Sequence, residues 1–211
     1  IFTAQPTWMA VNYLLNSSPI GNPCRNKLCR ACGLYLHQRP LFAEQKAADV
    51  FWIGLSAVQI GEGEDGLPLG ENTRTGNLIH QIEKPFVKKL SFYKTNLVKC
   101  VPLKDGKIRY PSSLEMGKCF PNLESELNDL KPSIAFLLGK QVASFVIRKK
   151  ANVEFELNED FKYRPLFIDD IYYVPVHHPS YVLVYKRKKL DVYVKNIRQV
   201  FSNLLVSEKC R

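Results

Sequence analysis

The sequence predicts an α/β fold, a three-layer α/β/α sandwich around a four-stranded, mostly parallel sheet. Three observations carry this reading. Four short apolar runs, rich in β-branched and aromatic residues, are bounded by Gly, Pro or polar turns. Segments with apolar residues at helical spacing lie between them. The two kinds alternate along 211 residues with no repeat and no low-complexity stretch, a length that suits a single domain spanning 1–211.

The elements follow in order. Residues 1–28 read as an N-terminal extension. Ala48–Gly54 reads as a buried strand ending at a loop, and a second strand lies within Leu90–Cys100. Ser133–Gly139 and Ile171–Val176 are the third and fourth. Runs this short also suit buried helix pieces, but their composition favours strands. Thr75–Val87 carries Leu78, Ile79, Ile82 and Phe86 near helical spacing. Ser112-Ser113-Leu114-Glu115 offers a capping box after Pro111, opening a helix expected to bend at Pro121 and reach Leu130. Lys140–Lys149 is a shorter helix, and Leu190, Val194, Ile197, Phe201 and Leu204 form the apolar stripe of a last one. Residues 151–168 read as an inserted loop or hairpin.

Composition narrows the class. The chain is 45% apolar, with twelve Phe, ten Tyr and two Trp, far from the signature of disorder. No apolar run approaches the roughly 18–20 residues that span a bilayer, so no membrane partner is expected. The opening Ile1-Phe2-Thr3-Ala4-Gln5 lacks the charged and apolar regions of a signal peptide, and the expected location is cytoplasmic. Thirty Lys and Arg against twenty Asp and Glu give a net charge of +10, which favours a polyanion because neutralised phosphates release counterions. The same excess also suits a merely solvated basic surface.

Six cysteines in a cytoplasmic chain do not read as a disulfide framework. Cys29-Arg30-Ala31-Cys32 is a CxxC pair, compatible with a redox motif, a zinc site or chance. Cys100 and Cys119 complete a four-thiolate set that fits zinc and an iron–sulfur cluster equally. In parallel sheets ligands bind beyond the carboxyl ends of the strands. That rule gathers the loop after Gly54, the surroundings of Asn96, the loop after Gly139 and His177-His178-Pro179-Ser180 into one candidate site.

At this point the order of motifs resembles the iron–sulfur type of the uracil-DNA glycosylase superfamily. The residues that carry the resemblance are Cys29-Arg30-Ala31-Cys32-Gly33-Leu34, Trp52-Ile53-Gly54, Thr95-Asn96-Leu97-Val98-Lys99-Cys100, Arg109-Tyr110-Pro111 with Glu115 to Cys119, Lys131 to Gly139, and His178-Pro179-Ser180-Tyr181. They run from about Cys29 to the C-terminus, and their joint order is the specific signal. The resemblance implies a [4Fe-4S] cluster on Cys29, Cys32, Cys100 and Cys119, with a structural role in pinning DNA-contacting loops. Cys24 and Cys210 are surplus, although Cys24 is an alternative to Cys29. It further implies DNA as the partner, with no obligate protein partner, and a monofunctional enzyme that flips a base into a pocket and hydrolyses its N-glycosidic bond.

Roles follow from the same resemblance. Asn96 reads the base, since an amide presents both a donor and an acceptor. His178 donates to the oxyanion that develops on the departing base, while His177 is structural. Ser180 contacts a phosphate, and Lys99, Arg109, Lys186 and Arg187 are candidates for the DNA backbone. The departures are equally informative. In the first loop, Gly54-Leu55-Ser56-Ala57-Val58-Gln59, Leu55 occupies the position of the family's acid. Glu64 and Asp65 resemble a Glu-Asp pair of the family and are the candidates to orient the water. Pro68-Leu69-Gly70 stands where the family carries a Phe that stacks on the base. Two expectations result: a pocket rebuilt for a modified pyrimidine, slightly favoured, or one that still takes uracil. Lys107-Ile108-Arg109-Tyr110 lacks the His of covalent uracil-trapping relatives, so covalent capture is not expected. The rival classes are a non-catalytic iron–sulfur module that binds DNA or a partner, and a zinc-bound nucleic-acid module.

Overall fold

A computed structural model describes residues 29–44, 46–61 and 66–208, with side chains not described at 206–208. The proposed N-terminal extension, Cys24, Glu64, Asp65 and Cys210 lie outside the described residues.

A 3-10 turn at Gly33–Leu36 precedes β1 (Val50–Ser56), α1 (Arg74–Glu83) and β2 (Phe92–Val98). A two-stranded ribbon follows, β3 (Leu103–Lys104) with β4 (Lys107–Ile108). Then come α2 (Ser113–Leu130), β5 (Ile134–Leu138) and α3 (Lys140–Lys150). The chain closes with β6 (Leu166–Ile168), β7 (Ile171–Val176), α4 (Pro179–Tyr185), a short 3-10 turn and α5 (Leu190–Glu208). The main sheet has five strands in the order β2-β1-β5-β7-β6 rather than the expected four. The first four are parallel, and β6 adds an antiparallel edge by pairing Ile168 with Ile171.

The segment 151–168, expected as an inserted loop or hairpin, contains that fifth strand. Its first part carries no regular element, but Leu166–Ile168 folds back on β7 through Asp169 and Asp170. Both turn residues have positive φ, 49° and 62°, the requirement of the tight hairpin turn that matches strand twist.

Alternation along each strand sorts the core into two layers. On β1, Phe51 and Ile53 point to the side covered by α2 and α3, with Tyr93, Leu97, Ala135, Leu137, Leu123 and Val146. Val50 and Trp52 point to the side of α1, α4 and α5, with Phe136, Val174, Ile79, Val182 and Phe201. Trp52 stacks on Phe136 with ring centroids 4.5 Å apart, and Phe201 closes on both. Helices therefore cover both faces, as near-continuous apolar strands require.

The helices start and stop for local reasons. Thr73 caps α1 by accepting from Gly76 N–H, and the helix ends at Glu83 because Pro85 has no N–H to continue the ladder to Gln81 O. The expected extension to Val87 is a set of turns. The Ser112–Glu115 capping box forms in both directions, and α2 continues through Pro121 to Leu130. No described helix is long and apolar enough to cross a membrane.

Candidate functional site

The carboxyl ends of β1, β2, β5 and β7 meet where the sheet rule places them. Gly54 pairs in register with Asn96 across β1 and β2. Gly139, at the end of β5, donates its N–H to Val176 O on β7 at 2.7 Å. His178 then caps α4. A cavity of about 190 Å3 opens at this junction, lined among others by Leu55, Ser56, Pro68, Leu69, Asn96 and His178. A wider groove of about 760 Å3 adjoins it and shares Leu55 and His178 with it.

Asn96 is 3% exposed, and among the described residues no protein group is hydrogen-bonded to its side-chain amide. An amide held at the wall of a cavity with donor and acceptor unspent is equipped to read a ligand. The approach is close: a Cβ on Gly54 would overlap Asn96 Oδ1 and press on Leu69. Leu69 itself has φ of 51°, a conformation that side chains rarely adopt. Its loop is held against α1 because Gly76 has no Cβ, which would strike the Leu69 and Gly70 carbonyl oxygens.

His178 is fixed by its own helix cap. Its Nδ1 accepts from Ser180 N–H at 3.2 Å and lies 2.7 Å from Ser180 Oγ. A backbone N–H can only donate, so Nδ1 carries no proton and the neutral ring is protonated at Nε2. Burial lowers the His178 pKa and reinforces the neutral form. The ring thus offers an N–H donor whose tautomer is set by the backbone. His177 is occupied otherwise: Tyr163 Oη lies 3.2 Å from its Nδ1, and Tyr181 stacks on its ring at 5.6 Å.

The four cysteines come together on the α2 face. Cys32 precedes the 3-10 turn, Cys100 follows β2, and Cys119 lies on α2, all against the same apolar cluster. The Cys100 thiol is pushed up to about 12 by burial and then by Cys119, Cys32 and Cys29, which places the other three cysteines near it. Cys119 Sγ receives Lys99 N–H at 3.3 Å and Asn122 Nδ2 at 3.7 Å, donors of the kind that support a thiolate. Among the described residues no group of His, Cys, Asp or Glu could hold a single metal ion. Cys100 and Cys119 are buried, Cys29 and Cys32 half-buried, and all four are free thiols.

Three of the proposed DNA contacts have partners within the chain. Lys99 is 1% exposed; its ammonium meets Glu126 at 2.7 Å and Thr95 Oγ1 at 2.6 Å, so it does not reach a phosphate. Arg109 makes two hydrogen bonds to Glu115, of 2.8 and 2.6 Å, and that guanidinium holds the Glu115 carboxyl at about 2. Lys186 pairs with Glu159 on the surface at 3.0 Å. Sequence reasoning missed Leu41, Val58, Leu67, Thr73 and Thr75 in the small cavity. Thr73 was the findable one, as a Thr directly before the first helical residue. It also missed Tyr110, Tyr181 and Tyr185 in the groove.

A mostly parallel sheet with helices on both faces thus carries, at its carboxyl edge, a cavity lined by both the Asn96 amide and the His178 imidazole, an α/β fold with a ligand-sized site. The model of the Uracil DNA glycosylase superfamily matches residues 42–202, and the chain belongs to that superfamily. Its members are DNA N-glycosylases, so the substrate class is DNA. Among solved structures, "The crystal structure of WT Pedobacter heparinus SMUG2" is similar in fold. It has a TM-score of 0.52 and 15% identity, covering 76% of this chain and 77% of that one. Comparison with curated proteins finds no match.

Proposed function

We propose that the chain flips one pyrimidine nucleotide out of the DNA stack, seats its base in the smaller cavity and hydrolyses the N-glycosidic bond, leaving an abasic site. One observation carries this reading: Asn96 from β2 and His178 from the β7–α4 junction line the same cavity. Cleavage builds negative charge on the departing base. The unspent Asn96 amide hydrogen-bonds the base edge, and the neutral His178 Nε2–H stabilises the oxyanion. Ser180, exposed in the adjoining groove, is the proposed contact to a phosphate. Glu64 and Asp65, just before the cavity residue Leu67 in the chain, are the proposed source of the group that orients water.

The base is proposed to be a modified pyrimidine rather than plain uracil. Leu55 and Leu69 line the cavity in place of an acid and an aromatic ring, which supports a wall reshaped around added apolar or bulkier substituents. Cys29, Cys32, Cys100 and Cys119 are proposed to hold a [4Fe-4S] cluster. When bound, that group supplies a rigid cross-link between the 3-10 turn, the end of β2 and α2.

A second reading, a non-catalytic iron–sulfur DNA-binding module, draws on one observation: among the described residues no carboxylate lines the cavity. Incubation with labelled DNA separates the two. The enzyme produces alkali-labile sites that vanish in His178→Ala and Asn96→Ala. A binder retards the DNA in a gel and produces none.

A further inference from the structure

A cavity of about 420 Å3 opens at the amino edge of the sheet, the edge opposite the base site. It lies where α2 and α3 end and β5 and β7 begin, and the Asp169–Asp170 turn lines it too. Leu127, Pro132, Ile171 and the Tyr173 ring supply its apolar wall. Tyr173 is 1% exposed, yet among the described residues its Oη has no hydrogen-bond partner. A buried hydroxyl with neither proton nor lone pairs in use is costly, and at a cavity wall it calls for a partner from outside the chain. Burial, then the Asp169 and Glu124 carboxylates, hold this phenol above its ordinary range, which places its hydroxyl near both. Lys150 bridges the same two carboxylates, to Glu124 at 3.3 Å and to Asp169 at 3.8 Å.

We infer that this cavity is a binding site for a small organic cation, a primary ammonium or guanidinium carried on an apolar stem. The inference is independent of base excision. Charge selects the sign of the ligand. Although the chain has a net charge of +10, Asp169, Asp170 and Glu124 stand here against Lys131 and Lys150, which leaves a carboxylate in excess. Lys150 is spent on its two partners and Lys131 is exposed. The Asp170 carboxylate, by contrast, makes no hydrogen bond or ion pair among the described residues. Both α2 and α3 also turn the negative ends of their dipoles, with their last carbonyls, to this edge. Among the described residues no group of three or more His, Cys, Asp or Glu could hold a metal ion, so the cation is organic. Its N–H groups donate to Tyr173 Oη and to Asp170 in charge-assisted bonds, while its stem lies on Leu127, Pro132 and Ile171. The volume falls within the ordinary range of small-molecule sites.

Calorimetric titration of the full chain with butylguanidinium, butylammonium and butyrate tests this. Saturable binding of both cations is expected, and none of butyrate. Tyr173→Phe and Asp170→Asn are each expected to weaken cation binding roughly tenfold. Because the Tyr173 hydroxyl has no partner among the described residues, Tyr173→Phe is expected to melt no lower than the wild type, so lost binding is not lost fold. Failure of either cation to bind saturably, butyrate binding as tightly as the cations, or unchanged binding in either variant overturns the inference. A capped Gly-Arg-Gly peptide then separates the two sources of this head group. Competition with butylguanidinium supports the site and assigns it to an arginine side chain of a partner protein. Cation binding that the peptide does not displace supports the site and assigns it to a free amine or guanidine.

Discussion

Gly54 and Asn96 face each other on adjacent parallel strands, and the space a methyl group would need on Gly54 is filled by Asn96 Oδ1 and Leu69. The absence of a side chain at Gly54 therefore leaves the room that the Asn96 amide, the proposed reader of the base, occupies.

Gly54→Ala follows as a direct probe of that packing. Crowding a full site costs about 1–3 kcal/mol of stability. The larger consequence is a displaced amide, and a misplacement of about 1 Å lowers turnover by as much as ~100-fold. Excision kinetics beside a thermal melt check it; a variant that melts lower but excises at the wild-type rate would contradict the assignment of Asn96.

The His178 cap sets the pH behaviour. Burial holds the folded pKa below the ordinary value of 6.5, so the unfolded chain binds more protons in that window. This contribution to stability is complete above 6.5 and is lost as pH falls from there through the folded pKa. Protonation at Nδ1 also removes the acceptor for Ser180 N–H. Activity is expected to hold on acidification to 6.5 and decline below it. His178→Ala is expected to reduce kcat by about 100- to 1000-fold and flatten that acid limb.

A buried ion pair ties β2 to α2 beneath the site: Lys99 with Glu126, Thr95 bonded to both, and Tyr93 Oη 3.3 Å from the carboxylate. Lys99→Met leaves Glu126 buried without its cation and is expected to cost about 3–5 kcal/mol. The double variant Lys99→Met with Glu126→Leu is expected to recover a large part of that loss. Urea denaturation of the two variants measures the difference.

Cysteine substitutions separate ligands from spectators. Cys29→Ser, Cys32→Ser, Cys100→Ser and Cys119→Ser are each expected to lose bound iron and visible absorbance and to melt at lower temperature. Cys24→Ser and Cys210→Ser are expected to keep the colour. Stoichiometric zinc in place of iron would reverse the assignment.

Where the sequence was readable, a strong local rule was at work. The capping box at Ser112 and Glu115 appears where its residues stand, because both of its bonds are made within one turn. Ile171–Val176 forms as the strand its apolar run predicts. The small edge strand Leu166–Ile168 was hidden because three residues carry almost no periodicity, and its Asp-Asp turn lacks the glycine that marks such hairpins. Lys99 was misread for a different reason. Its charge looked like surface, and its partner Glu126 lies 27 residues away, a pairing that only the packing of α2 on β2 creates. The convergence of Asn96 and His178 was legible because strand ends in a parallel sheet share one edge.

The central claim is that this cavity removes a pyrimidine. Its most direct test is chromatography of free base released from DNAs carrying uracil, hydroxymethylated or glucosylated pyrimidines. The account predicts release of a modified pyrimidine with a matching abasic site, lost in His178→Ala. Release of uracil at ordinary rates with every modified base untouched would contradict the reshaped pocket. Release of nothing, with DNA binding intact, would contradict the enzyme.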